Sequence, residues 1–191
     1  MALSHTILAV LSQQPYSGYD ISKRFEEGVS CFWQASQQQI YRELSKMEGQ
    51  GWVTYETVPQ AGKPDKKIYS ITEAGTAELC RWYAEPSEPT PIREDLLVKV
   101  LAAPYVPDGL LVQELHRRRQ LHSQRLANYQ TKECLYGAIP ARGDIAHADL
   151  PPIEQFRYLT LRRGMRYEQD WIDWIDEVLT FLTTQEPKAS G

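Results

Sequence analysis

The N-terminal part of the chain carries two short helical patterns separated by a proline. Apolar side chains recur at helical intervals in both patterns. The apolar positions are Leu3, Ile7, Val10 and Leu11 in the first pattern and Ile21 and Phe25 in the second. Pro15 closes the first segment, and Ser17 with Asp20 three residues later is typical of a helix N-terminus. The pattern therefore predicts two helices, the second ending at Gly28.

A third helix is predicted from Ser36 onward, with a sharply divided surface. Ser36 and Gln39 form a capping box, and Gly51 can adopt the left-handed conformation that ends a helix. The apolar stripe consists of Ile40, Leu44 and Met47. The other faces carry Gln37, Gln38, Tyr41, Arg42, Ser45 and Lys46. Amide and guanidinium groups on such a helix suit the DNA major groove, although this composition is also common on ordinary solvated helices.

The segment after this helix favours the DNA-binding interpretation. Residues 52–58 alternate as a strand does, and residues 67–71 predict a second strand after a loop with two prolines. The lysines at or near the tip of this hairpin are Lys63, Lys66 and Lys67, and cations there suit contact with phosphate. Thr72 predicts the N-cap of a helix that ends near Tyr83. The order of elements is that of a winged helix-turn-helix.

The second half of the chain is predicted to be helical. Three prolines in residues 86–92 indicate an extended linker between an N-terminal domain, residues 1–85, and a C-terminal region, residues 93–191. Helical spacing beyond the linker predicts helices over residues 93–103, from Pro107 to about Tyr136, and over residues 153–183, with a connection at 137–152. The fold class is therefore α+β, mostly α.

The last predicted helix carries two adjoining apolar stripes. A helix that packs on one small domain needs a single apolar stripe roughly 100° wide. Burial on more than one side is therefore expected, and a second copy of the chain can supply it. The residues predicted to form a dimer contact are Tyr167, Trp171, Trp174, Ile175, Val178 and Leu182. A three-helix bundle with its own core is the competing explanation, and it would absorb part of the same surface.

Composition changes this picture only moderately. The 191 residues carry a formal net charge of −4, which is not the signature of a non-specific nucleic-acid binder. Cations concentrated on one helix and one wing can still contact DNA, whereas a winged-helix module that binds protein instead is the alternative. The chain contains no apolar run of the roughly 18 residues that a membrane span needs and no signal peptide, so a cytoplasmic protein without membrane contact is expected.

No residue pattern indicates catalysis, a metal or a cofactor. The cysteines Cys31, Cys80 and Cys134 are far apart, and we expect reduced, mostly buried thiols. The four histidines are equally scattered, and the chain has no glycine-rich phosphate loop or nucleophile motif. The triplet Arg117–Arg119 is interpreted as a solvated or inter-chain ion-pairing face. An enzyme is therefore not expected.

Several motifs, taken in order, resemble the PadR family of bacterial winged-helix transcriptional regulators, in its longer subgroup similar to the AphA virulence activators. The matching segments are Pro15–Ile21, Phe32–Trp33, Ser36 with Gln39–Leu44, Gly51–Val53, and Lys67–Thr72 with Gly75. They cover the N-terminal half densely and the remainder by layout only. The wing of this chain reads Gly-Lys-Pro-Asp-Lys-Lys, whereas family members are often richer in arginine there. The resemblance implies a dimeric regulator with a C-terminal dimerisation, and possible ligand-sensing, region.

We therefore predict a sequence-specific regulator, most simply a repressor, that binds a palindromic operator in double-stranded DNA as a homodimer. Base edges would be contacted by Gln37, Gln38 and Arg42. Phosphates would be contacted by Ser36, Tyr41, Lys46, Lys63, Lys66, Lys67 and Tyr69. The resemblance also implies release by a small aromatic or phenolic effector, for which the candidate residues are Trp33, Trp82 and Tyr83. Aromatic side chains at helical spacing are otherwise plain core residues.

Overall fold

The computed structural model describes residues 2–26, 33–60, 62, 65–107, 109–136 and 150–184. It divides the chain into two compact units, Met1–Pro89 and Thr90–Gly191. The predicted positions of Gly28, Cys31, Phe32 and Lys63, and most of the predicted connection at 137–152, lie outside the described residues.

In the described residues, the first unit consists of four α-helices and a small antiparallel sheet. Its elements are α1 (Ala2–Leu11), β1 (Tyr16–Ser17), α2 (Gly18–Arg24), α3 (Gln37–Gly49), β2 (Val53–Val58), β3 (Lys66–Ile71) and α4 (Glu73–Ala84). Strand β3 lies between β1 and β2 and is antiparallel to both. The two-residue strand β1 was not predicted, whereas the other elements lie where the periodicity places them. This arrangement confirms the winged helix-turn-helix.

Helices α1, α2 and α3 pack around one apolar core. The buried members include Ile7, Leu8, Leu11, Ile21, Phe25, Ile40, Leu44, Met47, Val53 and Tyr69. The predicted apolar stripes of the three helices are therefore confirmed. Both predicted capping boxes form as well: the Ser17 hydroxyl accepts a bond from the Asp20 amide, and the Ser36 hydroxyl accepts one from the Gln39 amide.

The end of α3 is fastened to the start of α4. Gly51 has a φ of 73°, and the amides of Gly51 and Trp52 donate to the carbonyls of Glu48 and Met47, which is a Schellman motif. The Thr72 hydroxyl donates to the Gly51 carbonyl oxygen at 2.6 Å and caps α4 by accepting from the Gly75 amide. The turn after α3 and the N-terminus of α4 therefore support each other.

The second unit is a three-helix assembly. Its elements are α5 (Asp95–Ala102), α6 (Leu110–Glu133) and α7 (Pro152–Thr184), with single 3₁₀ turns at Ala103–Tyr105 and Cys134–Tyr136. Leu96, Leu115 and Ile175, one from each helix, form the buried centre. No helix in the described residues is both long and apolar enough to span a lipid bilayer.

Ion pairs within the second unit refine one prediction. The triplet Arg117–Arg119 does not face only solvent or a partner chain, because each arginine pairs with a carboxylate of its own chain. The acceptors are Glu114 for Arg117, Glu94 for Arg118 and Asp176 for Arg119, with N···O distances of 2.8, 2.7 and 2.6 Å. The Arg119 contact joins α6 to α7, and it lowers the pKa of the Asp176 carboxyl.

A buried polar contact also joins α6 to α7. His122 Nδ1 lies 2.5 Å from Glu168 Oε2, and both side chains are buried. The His122 ring stacks on Trp171 with ring centroids 5.5 Å apart and planes at 9°. Removing one partner of such a contact would leave the other buried and unpaired, which is costly, so the pair specifies how the two helices meet.

Two cysteines are more exposed than expected. Cys80 and Cys134 are both free thiols with exposed side chains, so the expectation of mostly buried thiols was wrong for the two cysteines that the structure describes. Cys80 lies in α4 and Cys134 at the end of α6, and helical position alone did not indicate which face each occupies.

Gly75 is required by the close approach of α4 to the preceding turn. A Cβ atom added there would lie 2.1 Å from the Trp52 carbonyl oxygen, which belongs to the backbone and cannot move aside cheaply. We expect Gly75→Ala to lower the free energy of unfolding by about 1–3 kcal/mol in urea titrations. Gly49→Ala is the matched control, because a Cβ there meets nothing within 4 Å. Equal stabilities of the two variants would contradict this account.

Candidate nucleic-acid interface

The outward face of α3 is the most distinctive polar surface of the first unit. Burial of Ile40, Leu44 and Met47 turns the intervening side chains outward. Gln37, Gln38 and Arg42 are exposed, and none of their side chains has a hydrogen bond or ion pair within the part of the chain that the structure describes. Unpaired amides and a guanidinium are the groups that read base edges in a major groove.

The neighbouring positions on α3 suit phosphate contact. Lys46 is exposed, and its ammonium lies 3.5 Å from Glu43, a surface contact that contributes little. The Ser36 hydroxyl accepts the cap bond from Gln39 and retains its own proton for donation to an anion.

Tyr41 lies over the start of α2: a Cβ added to Gly18 would be 2.4 Å from Tyr41 Cε1. Gly18 therefore lets the Tyr41 ring pack closely against α2.

The register of the hairpin separates the two described wing lysines. Lys66 faces Val58 and Lys67 faces Thr57 across the β2–β3 pair, so adjacent side chains leave the strand on opposite faces. The Lys67 ammonium lies 3.8 Å from the centre of the Tyr55 ring, and contact with Tyr55 raises the pKa of Lys67. The Lys66 ammonium instead lies 3.0 Å from the Asp20 carboxylate. The predicted cluster of wing lysines is therefore divided.

Tyr69 is a core residue, which corrects its predicted phosphate contact. Its side chain is only 4% exposed, and its ring packs against Tyr55 with centroids 5.6 Å apart. Burial raises the pKa of the Tyr69 hydroxyl. Tyr69 and Ile71 lie two residues apart and share the face that β3 turns toward the core, but which face is buried depends on the neighbouring strands.

The three candidate effector residues occupy different environments. Trp33 is half-buried against the core of the first unit, as its alternative interpretation expected. Trp82 stacks on His5 with ring centroids 4.6 Å apart, while Tyr83 is 85% exposed. His5 Nε2 also hydrogen-bonds Glu78 at 3.0 Å, and Arg81 with His5 lowers the pKa of Glu78 to about 2. Sequence reasoning did not connect these side chains.

The predicted dimer contact of α7 is largely occupied by the chain itself. Ile175 is fully buried beside Leu96 and Leu115, so its assignment to a dimer contact was wrong. Trp171, Trp174, Val178 and Leu182 are half-buried against the same cluster, and only Tyr167 of the predicted set is exposed. This outcome is the three-helix core that was the competing explanation.

Other apolar side chains of the second unit are exposed. These exposed side chains include Leu97, Val98, Leu101, Tyr105, Leu110, Ile153, Phe156, Leu159 and Phe181. Leu101 is 78% exposed and Tyr105 89% exposed, which is unusual for side chains of this size in a monomer. Sequence reasoning predicted the helix over residues 93–103 but did not identify these positions as an exposed apolar surface.

Among the described residues, no three histidine, cysteine, aspartate or glutamate side chains are grouped as a metal site requires. The geometry of the first unit defines the class of protein: a winged helix-turn-helix with an open polar face on its third helix. Two family models match the chain. Residues 7–81 match the transcriptional regulator PadR-like family, and residues 92–183 match the virulence activator alpha C-terminal family.

The chain belongs to the PadR-like family of transcriptional regulators, in its longer subgroup. It is 40% identical to the probable transcriptional regulator Rv1176c of Mycobacterium tuberculosis, over 95% of this chain and 98% of that protein. It is similar to the solved structure of the Vibrio cholerae virulence activator AphA, with 35% identity, a TM-score of 0.79, and coverage of 96% of this chain and 99% of that one.

A further relative is the negative transcriptional regulator PadR of Bacillus subtilis, 28% identical over 94% of this chain and 97% of that protein. The structure of that PadR in complex with operator DNA aligns with a TM-score of 0.78, at 24% identity, over 95% of this chain and 99% of that one. A second structure of it contains p-coumaric acid and aligns with a TM-score of 0.75, at 23% identity, over 96% of this chain and 99% of that one. At these structural identities the likeness concerns the fold.

Proposed function

We propose that this protein is a homodimeric, sequence-specific DNA-binding repressor that acts in the cytoplasm. The observation that carries the proposal is the outward face of α3, where Gln37, Gln38 and Arg42 have no partner in the described part of the chain. A DNA-reading helix requires donors that are free to pair with bases, and these three side chains lie on the third helix of a winged helix-turn-helix, the helix that such folds place in the major groove. The Bacillus relative with operator DNA supports the same use of the fold.

The proposed contacts divide into two kinds. Gln37, Gln38 and Arg42 read base edges, with glutamine suited to adenine and arginine to guanine. Ser36, Tyr41, Lys46 and Lys67 contact phosphates, which position the protein without reading sequence. Tyr69 is not part of this proposal because it is buried. The small number of free cations agrees with the net charge of −4 and predicts modest non-specific affinity.

Dimerisation follows from the exposed apolar side chains of the second unit. Val98, Leu101 and Tyr105 project from α5 and the turn after it, and Phe156 and Phe181 project from α7. Burying them in a second copy removes apolar surface from water at roughly 25 cal/mol per Å². A two-fold axis would then present two copies of α3 to successive major grooves, roughly 34 Å apart.

The proposed sense of regulation is negative, and the proposed signal is a small aromatic acid. The Bacillus relative is named a negative regulator and has been solved with p-coumaric acid, although the Vibrio relative is named an activator. An effector that binds one conformation of the dimer better than another lowers operator affinity by linkage. Trp33, Trp82 and Tyr83 are the candidate stacking residues in the first unit.

Arg42 provides the sharpest test of DNA reading. We expect Arg42→Ala to weaken binding to a duplex selected from random DNA by about 1–3 kcal/mol and to relax the sequence preference, because a bidentate guanidinium contact is lost. Fluorescence anisotropy with matched and mutated duplexes measures both effects. Arg125→Ala is the control, since it removes another exposed arginine, which lies in α6. Unchanged binding and preference in Arg42→Ala would move the recognition surface elsewhere and favour the protein-binding alternative.

The dimer is tested by charging its proposed apolar contact. Val98 and Leu101 are both exposed, so the double substitution Val98→Asp, Leu101→Asp is expected to leave the fold intact and halve the mass measured by sedimentation equilibrium. Gln124→Asp, which charges an exposed polar position of α6, should remain dimeric. Trp171→Ala is a poorer probe because Trp171 packs inside its own chain. A double variant with the parent's mass would contradict the proposed contact.

The effector is tested by titrating the protein with p-coumaric acid. We expect quenching of tryptophan fluorescence and, over the same concentration range, release of the labelled duplex, because one ligand-bound conformation accounts for both. Acetate at the same concentration controls for acidity and ionic strength. Trp82→Phe would identify whether Trp82 reports the binding. Absence of both quenching and release would remove this effector and leave the DNA-binding proposal intact.

A further inference from the structure

Asp20 is the meeting point of three hydrogen-bond donors, one of which is Lys66 at the first residue of β3, next to the hairpin loop. Its Oδ2 atom accepts from the Ser17 hydroxyl at 2.7 Å and from the Ser17 amide at 3.3 Å. The Lys66 ammonium lies 3.0 Å from the same oxygen. One carboxylate therefore completes the capping box of α2 and also neutralises the first residue of β3.

The strand pairing places this contact at a structural junction. Ser17 pairs with Ile68 of β3. Gly18, the next residue, lies under the ring of Tyr41 from α3, the proposed recognition helix. The start of α2 is thus in contact with both α3 and the wing strand. The contact between Lys66 and Asp20 therefore holds β3 to α2, the helix against which α3 packs.

Contact with a DNA phosphate costs more free energy for Lys66 than for Lys67, because Lys66 must first leave the Asp20 carboxylate. Lys66 and Asp20 are each 36% exposed and form a pair. Lys67 is exposed and lies over the Tyr55 ring, and it forms no ion pair with a carboxylate of the described residues. Moving Lys66 to a phosphate would leave the Asp20 carboxylate uncompensated close to that phosphate. The bonds from Ser17, together with Lys66, lower the pKa of Asp20, so the carboxyl stays ionised at neutral pH.

We propose that Asp20 is a positioning residue for DNA binding, which tethers the wing through Lys66 and withholds that lysine from phosphate contact. The inference rests on the proposed function, since it concerns how many phosphates the wing neutralises. We refer to the contact between Asp20 and Lys66 as the wing tether. It makes Lys67 the phosphate-binding lysine of the described part of the wing and Lys66 a structural one.

The salt dependence of binding distinguishes the two lysines. Each phosphate contact contributes about 0.9 to the slope of log affinity against log salt. With a labelled duplex selected on the parent protein, we expect Lys67→Met to flatten the slope by about 0.9 and Lys66→Met to leave it unchanged. Asp20→Asn should steepen the slope by about 0.9, because it releases Lys66, and adding Lys66→Met to it should restore the parent's slope.

Controls separate the tether from general damage. Ser17→Ala weakens the cap of α2 but keeps both charges, so its slope should equal the parent's. Lys66→Arg preserves the pair and should keep the parent's slope and affinity. If Lys66→Met flattens the slope as much as Lys67→Met, Lys66 is an ordinary phosphate ligand and the inference is wrong. An unchanged slope in Asp20→Asn would overturn it equally.

A measurement without DNA keeps this test distinct from that of the proposed function. The urea midpoints of Asp20→Asn, Lys66→Met and the double variant should be non-additive, because the second substitution removes a contact already lost. Additive midpoints would show that the wing tether does not exist in solution. Failure of the parent to bind any selected duplex, with non-additive midpoints, would count against the proposed function alone.

Discussion

Burial of one side of α3 determines what the rest of the first unit can do. Ile40, Leu44 and Met47 have no exposed surface, so rotation of the helix about its axis would place a glutamine or an arginine in the core. Burying such a group without a partner costs roughly 2–7 kcal/mol, a large part of the roughly 5–15 kcal/mol by which a domain is stable. The polar face is therefore held outward by the core, and no contact on that face itself is needed to keep it there.

Both ends of α3 reinforce this constraint by backbone hydrogen bonds. The capping box at Ser36 supplies acceptors for amides that a helix leaves unpaired. The Schellman turn at Gly51 supplies donors, the amides of Gly51 and Trp52, for carbonyls at the other end of the helix. Thr72 then fastens that turn to α4. Because the helix is fixed in rotation by its core and in length by its caps, Arg42 is presented in a defined direction without a salt bridge to orient it.

Local signals predicted most of the fold, and long-range ones predicted little. Helical spacing and caps identified α1, α2, α3 and α4, whereas β1 spans only Tyr16–Ser17 and is too short to produce a period. The candidate site followed the same division. Gln37, Gln38 and Arg42 are exposed because they are out of phase with a local stripe, but the partner of Lys66 depends on Asp20, far away in sequence. The burial of Tyr69 depends likewise on Tyr16 and Tyr55 in neighbouring strands.

The second unit shows the same limit more strongly. Its last helix is apolar over two stripes, and the sequence alone does not say whether Leu96 and Leu115 or a second chain covers Ile175. The structure assigns that residue to its own chain, with the tryptophans half-buried beside it. The exposed apolar side chains left for a partner lie on α5 and the turn after it, at the start of α6 and on α7. A helix with two apolar stripes therefore indicates that both stripes are buried. Whether its own chain or a second chain covers them depends on how many other helices of the same chain pack against it.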